Sequence, residues 1–258
     1  MPTFLFNEII FGPVLSRRLG NSLGINLLPV KSKLCNFNCL YCECGLTSSF
    51  KQIKKDLPTR EQVKSELEKT LHEFNENDRQ IDTITFAGNG EPTLHPQFPG
   101  IINDSLLLRD KYFPEAKLAV LSNATLIHRK EIKSALEKID LNILKLDSVN
   151  EDTVKIMNCP QGKFSVKKLL ANLADVKNLT IQTLFVRGHY KGSQFDNTTE
   201  EEIIPWLDTL KKLQPGLVMI YTIARDTPVD TVEKVSAAKL NEIAKRVEAI
   251  GIPTSISD

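Results

Sequence analysis

Long apolar runs are missing from this chain of 258 residues, and no segment approaches the roughly 18–20 apolar residues that span a bilayer. An excess of charge is missing too, because 33 lysines and arginines face 32 aspartates and glutamates. That balance argues against binding nucleic acid by bulk electrostatic attraction, although a local basic patch can exist within it. Residues 1–8 contain no basic segment and no sustained apolar run, so we expect no signal peptide and a cytoplasmic protein.

Cysteine is scarce and odd in number, which argues against a disulfide framework. Four of the five cysteines lie within ten residues of one another, at Cys35, Cys39, Cys42 and Cys44, and the fifth is Cys159. The composition is otherwise that of a globular protein, with 41% hydrophobic and 25% charged residues. It excludes a disordered chain and a collagen-like repeat, and the length allows one domain of barrel size or two small ones.

Short stretches rich in Ile, Leu, Val, Phe and Thr alternate with helical patterns along the chain. We predict strands at 23–29, 83–88, 117–122, 141–147, 179–186 and 217–223. The clearest predicted helices are 59–76, 199–213 and 236–250, which open at Thr59, Thr199 and Ser236, and the last is closed by Gly251.

Six β/α units without a linker predict a parallel α/β fold, either a Rossmann-type open sheet or a partial (β/α) barrel. No Gly-x-Gly-x-x-Gly follows the first predicted strand, so dinucleotide binding loses its main support. The surplus length between the first two strands is the loop 30–57, which carries four cysteines. A long loop after a strand of such a fold is where chemistry is normally placed.

The loop contains a C-x3-C-x2-C pattern formed by Cys35, Cys39 and Cys42. Thiolates are the ligands of iron–sulfur clusters, so three of them can hold three irons of a 4Fe–4S cluster and leave the fourth iron open. A structural zinc site with Cys44 as the fourth ligand is the alternative, and it would make the protein a binding module without turnover. The single residue between Cys42 and Cys44 is an unusual zinc spacing.

A second motif follows the second predicted strand, in the segment Gly88-Asn89-Gly90-Glu91-Pro92. Its glycines allow the backbone to approach a ligand closely, and its proline restricts the turn. The glutamate can accept a charge-assisted hydrogen bond from an ammonium group. Such a turn alone is unspecific, but here it lies one β/α unit after the cysteine pattern.

Together these two motifs resemble the radical S-adenosylmethionine (SAM) superfamily. The resemblance covers the whole chain and implies a partial (β/α)6 TIM-like barrel as a single core domain, 1–258, with an amino-terminal extension at 1–22. It implies a 4Fe–4S cluster on Cys35, Cys39 and Cys42, whose open iron binds SAM, and a turn at Gly88–Pro92 that contacts the SAM amino group. It further implies an enzyme that cleaves SAM reductively to a 5′-deoxyadenosyl radical, with a one-electron donor such as flavodoxin or ferredoxin.

A narrower resemblance is carried by Phe11-Gly12-Pro13-Val14-Leu15-Ser16-Arg17-Arg18-Leu19-Gly20 and by the segment from Ser22 to Pro29. These residues are similar to the opening of the wyosine-synthetase-like branch of the superfamily. Many bacterial members of that branch have no assigned function, and archaeal members act on a modified guanosine of transfer RNA. The chain is short and has no evident second cysteine cluster, so the substrate is open and an RNA base is one candidate.

Several further side chains are candidates for the site. Tyr41, Ser122, Asn123 and Tyr221 are predicted cofactor contacts, although a core tyrosine and an ordinary strand-end turn are the alternatives for the first three. Lys145 and Asp147 share one face of a predicted strand, and charge inside an apolar strand is costly unless it is paired or lines a polar cavity. We predict a catalytic role for this pair, with a purely structural ion pair as the alternative.

Four arginines complete the set of candidates, as predicted substrate contacts: Arg17, Arg18, Arg187 and Arg225. Arg17 and Arg18 are expected near the mouth of the barrel, where they could hold a phosphate group. Arg187 and Arg225 follow predicted strands and are expected to meet the cavity of Lys145 and Asp147. Solvated surface arginines are the alternative for all four. Cys44 and Cys159 are expected to be thiols without a role in the cluster.

Overall fold

The computed structural model describes residues 4–47 and 56–258, which form two compact units. The first unit contains 5–35, Thr47 and 56–142, and the second contains Phe4, Asn36–Leu46 and Ile143–Asp258. Part of the predicted cysteine loop, 48–55, and residues 1–3 of the predicted extension lie outside the described residues. Within the described ranges, no helix is both long and apolar enough to cross a membrane.

The first unit is built on strands β1 (Ile10–Ser16), β2 (Gly20–Ile25), β3 (Thr83–Phe86) and β4 (Lys117–Ser122), which neighbour one another in that order. β1 is antiparallel to β2, whereas β2, β3 and β4 are parallel. All of β3 is buried, as expected of a strand covered on both faces. The Gly88–Pro92 turn and Ser122 therefore lie at the same edge of this sheet, where parallel strands end.

The helices of the first unit are α1 (Arg60–Glu76), α2 (Phe98–Tyr112) and α3 (Lys130–Leu136). Thr59 begins α1 as predicted: its side chain accepts from the Gln62 backbone N–H at 3.2 Å, and the Gln62 side chain accepts from the Thr59 N–H at 2.8 Å. This reciprocal cap provides acceptors for two backbone N–H groups at the start of the helix that have no partner within the helix. Val63, Leu67, Leu71 and Phe74 recur at helical spacing and form the buried face.

The boundary between the units falls within β5 (Leu141–Lys145), and the last three residues of this strand belong to the second unit. Its parallel strands are β6 (Leu179–Leu184), β9 (Leu217–Tyr221) and β11 (Thr254–Ser257), in that order. A separate antiparallel sheet has the order β10 (Val232–Lys234), β7 (Val186–Tyr190) and β8 (Ser193–Asp196). The helices are α4 (Glu151–Met157), α5 (Val166–Leu173), α6 (Glu200–Leu213) and α7 (Ala237–Glu248).

The predicted elements are largely confirmed, with corrections at their ends. The first predicted strand, 23–29, is wrong at both ends, because β2 begins at Gly20 and ends at Ile25. The Asn26 side chain turns the chain there, accepting from the Leu28 N–H at 3.2 Å and donating to the Leu28 carbonyl at 3.1 Å. Thr199 and Ser236 begin their helices as predicted, but α7 ends at Glu248, before the predicted limit.

Five strands were not predicted: β1, β7, β8, β10 and β11. Most of them lack the apolar runs of the others: in β7, for example, Val186 is buried and the next four residues alternate between exposed and half-buried, and β10 has only three residues. Such strands are stabilised mainly by pairing with strands elsewhere in the chain, which local sequence does not reveal.

Candidate functional site

The carboxylate of Glu91 is the centre of the site in the first unit. Glu91 is 2% exposed and begins a short 3-10 turn, Pro92–Leu94. One carboxylate oxygen accepts from the Ser122 hydroxyl at 2.8 Å and from the Thr93 N–H at 3.1 Å, and also from the Thr93 hydroxyl. The other accepts from the Asn123 N–H at 2.7 Å. The end of β4 thus holds the turn that follows β3.

Burial raises the pKa of Glu91 above its usual value, and the hydrogen bonds from Thr93, Asn123 and Ser122 offset part of that rise. Among the described residues, no lysine or arginine forms an ion pair with this carboxylate. A buried carboxylate surrounded by neutral donors is suited to an ammonium group supplied by a ligand.

The glycines of the turn allow it to contact the cysteine loop closely. The Leu34 N–H donates to the Asn89 carbonyl at 2.9 Å, and the Glu91 N–H donates to the Leu34 carbonyl at 3.0 Å. A Cβ on Gly90, whose φ is +138°, would lie 1.9 Å from that carbonyl oxygen. Only glycine fits there. The two motifs identified in the sequence are therefore joined through the residue that precedes Cys35.

Gly90→Ala is expected to destabilise the protein more than Gly162→Ala. Both glycines have positive φ, +138° and +109°, but a Cβ on Gly162 would meet nothing within 4 Å. Backbone strain should cost about 1–3 kcal/mol at either position. Gly90→Ala should cost about 1–3 kcal/mol more, because it displaces the two hydrogen bonds to Leu34. Urea unfolding of the two variants measures the difference, and equal losses would contradict the close-contact role.

The remaining residues of the first-unit site have defined positions. The Asn89 side chain binds backbone only: it accepts from the Phe6 N–H at 2.9 Å and donates to the carbonyls of Phe6 at 2.8 Å and Pro29 at 2.9 Å. Cys35 is buried, and the Asn123 side-chain amide donates to its sulfur at 3.7 Å. Asn123 thus touches both motifs, through its backbone at Glu91 and its side chain at Cys35.

In the second unit the cysteine loop is held by backbone hydrogen bonds to the segment 157–161, which follows α4. The N–H groups of Asn38 and Leu40 donate to the carbonyls of Asn158 and Met157, each at 2.9 Å. The Gln161 N–H donates to the Asn36 carbonyl at 2.8 Å. Cys39 is buried and Cys42 half-buried on this loop. Its course is therefore fixed by contacts over more than one hundred residues of sequence.

Lys145 and Asp147 form an ion pair in the second unit, with Lys145 Nζ 3.3 Å from Asp147 Oδ1. Asp147 lies just beyond β5 rather than within the predicted strand 141–147. Tyr41 joins the pair: Lys145 donates to its hydroxyl oxygen at 3.0 Å, and the hydroxyl donates to Asp147 Oδ2. The Asn158 amide donates to Tyr41 and to Asp147, each at 2.7 Å.

Electrostatics in this network favour a charged lysine and a neutral tyrosine. Burial lowers the pKa of Lys145, but attraction to Asp147, Tyr221 and Cys39 outweighs it, so the pKa lies above its usual value. Burial raises the pKa of Tyr41, and repulsion from Asp147, Cys39 and Tyr221 raises it further. Tyr221 thus contributes to the electrostatic surroundings of both Tyr41 and Lys145.

The arginines are distributed differently from the prediction. Arg17 and Arg18 lie in the turn before β2, where the Ser16 hydroxyl oxygen accepts from the N–H of Arg18 at 3.3 Å. Their expected position near the mouth is wrong, because this turn is at the edge where β2 begins, opposite the edge that carries Glu91. A substrate contact by either one loses its basis.

Arg187 and Arg225 were expected beside Lys145 and Asp147, but their ion pairs are formed elsewhere. Arg187 forms an exposed ion pair at 2.8 Å with Glu233 between β7 and β10, since the chain continues there into the second sheet. Arg225 forms an exposed ion pair at 2.6 Å with Glu43, which lies between Cys42 and Cys44. Arg225 therefore contacts the cysteine loop through its ion pair.

The donor set fits an iron–sulfur cluster and SAM. Thiols at Cys35, Cys39 and Cys42 are the soft ligands that iron–sulfur clusters take, and Glu91 offers a buried carboxylate to an ammonium group. In the described part of the chain, no group of three His, Cys, Asp or Glu residues is arranged to hold a single metal ion. Each cysteine of a cluster binds a different iron, so a cluster does not need that arrangement.

Sequence reasoning missed Asn158 and Thr93. Thr93 directly follows the Gly88–Pro92 motif, two residues after Glu91, and a hydroxyl that close to a glutamate could have been recognised in the sequence as a hydrogen-bond donor. Asn158 lies 119 residues from Cys39, and the sequence around it contains no motif that connects the two. Cys159, next to it, donates its S–H to the Ile156 carbonyl at 3.1 Å.

Comparison with known proteins identifies the family. The model of the Radical SAM superfamily matches residues 30–193. A protein of Brachyspira hyodysenteriae named GTPase Obg is 30% identical over 96% of this chain and 35% of its own length. UPF0026 protein MJ1312 of Methanocaldococcus jannaschii is 32% identical over 84% of this chain and 64% of its own length. The chain therefore spans less than two thirds of both relatives.

Solved structures share the fold. A radical SAM methyltransferase from Sphaerobacter thermophilus superposes with a TM-score of 0.68 and 16% identity, over 92% of this chain and 65% of the other. Archaeal TYW1 superposes with a TM-score of 0.53 and 15% identity, over 88% and 71%. The expected fold, a partial (β/α) barrel of parallel strands, is confirmed by these structures. The chain belongs to the radical SAM superfamily.

Proposed function

We propose that this enzyme holds a 4Fe–4S cluster on Cys35, Cys39 and Cys42 and binds SAM at the Gly88–Pro92 turn. When bound, these groups supply a one-electron cleavage of SAM to methionine and a 5′-deoxyadenosyl radical that abstracts hydrogen from a substrate. The observation that carries the proposal is the buried Glu91 carboxylate, in a turn hydrogen-bonded to the residue before Cys35.

The chain's own residues would bind and orient the cofactor. Glu91 would accept the SAM ammonium, and Ser122 and Asn123 hold that carboxylate in place. Tyr41 and Tyr221 remain predicted cofactor contacts. Hydrogen bonds join the Tyr41 hydroxyl to Lys145 and Asp147, the proposed catalytic pair. Lys145 would present a fixed positive charge to the substrate, with Asp147 maintaining its position.

Substrate, donor and location complete the proposal. An RNA base is the candidate substrate, from the resemblance to the wyosine-synthetase-like branch, and a flavodoxin or ferredoxin is the candidate electron donor. A cytoplasmic location would keep the three thiols reduced for the cluster.

Anaerobic reconstitution with iron and sulfide, followed by incubation with SAM and dithionite, tests the function. We expect about four irons per chain and release of 5′-deoxyadenosine and methionine. Adding fractionated cellular RNA or metabolites should identify the substrate as the fraction that raises 5′-deoxyadenosine release. Stoichiometric zinc in place of iron, with no cleavage and with Cys44 also required for binding, would establish the zinc module instead.

Glu91→Gln is expected to weaken SAM binding by about 10- to 100-fold, the effect of losing a hydrogen bond to a charged group. The unaltered protein should also bind SAM more weakly as the pH falls through the raised pKa of Glu91, because the protonated carboxyl no longer attracts the ammonium. The variant should lack that pH dependence. Equilibrium dialysis with labelled SAM measures both effects.

Glu68→Gln is the matched control for this experiment. Glu68 is a partly exposed glutamate of the same unit, paired with Lys111 at 2.8 Å, and its replacement should leave SAM affinity unchanged. Wild-type affinity in folded Glu91→Gln would show that Glu91 does not bind the cofactor.

A further inference from the structure

The Asn158 side-chain amide connects a predicted cluster ligand to the buried network of Lys145 and Asp147. Its nitrogen lies 3.4 Å from Cys39 Sγ and 2.7 Å from both the Tyr41 hydroxyl and Asp147 Oδ2. Asn158 is 2% exposed. The amide is therefore a buried donor shared between a thiol and a polar network.

The orientation of this amide follows from its neighbours. Asp147 is an acceptor, and its Oδ2 also accepts from Lys145 at 3.3 Å. The opposite orientation would place the Asn158 oxygen against that carboxylate, with no hydrogen between the two oxygens. The N–H groups must therefore face Asp147 and Cys39.

The backbone holds Asn158 from two sides. Its N–H donates to the Val154 carbonyl at 2.9 Å as the last bond of α4, and its carbonyl accepts from the Asn38 N–H at 2.9 Å. Asn38 immediately precedes Cys39 on the cysteine loop. The backbones that carry the donor and the sulfur are thus fixed relative to each other through main-chain bonds.

We propose that Asn158 is a positioning residue that holds the Cys39 sulfur and raises the reduction potential of the cluster. A hydrogen bond to a ligand sulfur stabilises the more negative, reduced state, and such bonds are among the features that set cluster potentials. The inference rests on the proposed function, because it needs a cluster on Cys39. It adds a residue that lies outside both sequence motifs.

The test is the midpoint potential of the reconstituted cluster in Asn158→Leu, followed by its electron paramagnetic resonance signal during a redox titration. Leucine keeps the branched shape and the number of side-chain heavy atoms of asparagine and removes the donor. At a fixed solution potential we expect the ratio of reduced to oxidised cluster to fall about tenfold, which is about 59 mV for a one-electron couple.

Asn150→Ala is the matched control. Asn150 begins the same helix, and its side chain accepts from the Asp152 N–H at 3.0 Å, so its loss weakens α4 without touching a cysteine. This variant should keep the wild-type potential.

The outcomes separate the inference from the proposed function. If circular dichroism shows that Asn158→Leu does not fold, Asn158→Ala is titrated instead, and the loss of the same donor should shift the potential in the same direction. An unchanged potential in the folded variant, or an equal shift in Asn150→Ala, would overturn the role of Asn158. If the unaltered protein assembles no cluster, the proposed function is itself wrong and this inference falls with it.

Discussion

Alanine at Cys35, Cys39 or Cys42 is expected to remove the iron–sulfur cluster and abolish SAM cleavage. Iron should fall from about four per chain to background after anaerobic reconstitution, because each thiolate would be the sole protein ligand of its iron in the proposed site. Iron and sulfide analysis, the visible absorption of the cluster and release of 5′-deoxyadenosine measure the loss.

Cys44→Ala and Cys159→Ala are the matched controls for these variants. Both residues are half-buried in the second unit, as Cys42 is, and Cys159 donates to the Ile156 carbonyl. They should retain both iron and cleavage. A requirement for Cys44 equal to that for the other three would contradict the three-cysteine site and favour four-cysteine zinc binding.

Breaking the ion pair of Lys145 and Asp147 is expected to destabilise the protein strongly. Asp147→Asn should lower the free energy of unfolding by about 3–5 kcal/mol, because it leaves a mostly buried ammonium without its counter-charge. The amide N–H group of the new asparagine would also face groups that donate to Asp147, such as the Asn158 amide and the Leu184 N–H. Lys145→Met should cost less, about 1–3 kcal/mol, since Asp147 keeps hydrogen bonds from Tyr41, Asn158 and the Leu184 N–H.

The double variant distinguishes a structural pair from a catalytic one. Its loss of stability should be smaller than the sum of the single losses by about 0.5–3 kcal/mol, as for directly interacting residues. Urea unfolding of the three variants measures this coupling, and additive losses would contradict it. If the pair also serves the chemistry, the double variant should fold and bind SAM but lose turnover of the substrate. Normal turnover would leave the pair a structural role alone.

Local sequence was sufficient to predict those features that depend on residues close together in the chain. The spacing of the three cysteines and the Gly-x-Gly-Glu-Pro turn each specify a donor set within eight residues. Thr59 was predictable as a cap because the capping box spans four positions. The alternation correctly predicted that Lys145 and Asp147 lie together, and they form an ion pair although Asp147 lies past the strand. Their predicted catalytic role stays a prediction.

Contacts between distant segments were beyond sequence reasoning. Asn158 reaches Cys39 only because α4 ends beside the cysteine loop, and nothing in its own neighbourhood marks that. Arg17 and Arg18 were misplaced because the preceding strand, β1, was not predicted. Once β1 and β2 form a hairpin, the turn between them must lie where β2 begins. Arg187 was misplaced because β7 continues into a second sheet whose partner strand, β10, has no apolar run.

The pairing of the cysteine loop with the segment 157–161 also limits how far the length of that loop can vary. Asn36, Asn38 and Leu40 are matched to that segment by backbone hydrogen bonds. One residue inserted between Cys35 and Cys39 would shift every later bond and reverse the direction of the following side chains. The spacing of the cysteines is thus constrained by a segment over one hundred residues away, in addition to the constraint that the proposed cluster would impose. A natural or engineered change in loop length would require a compensating change after α4.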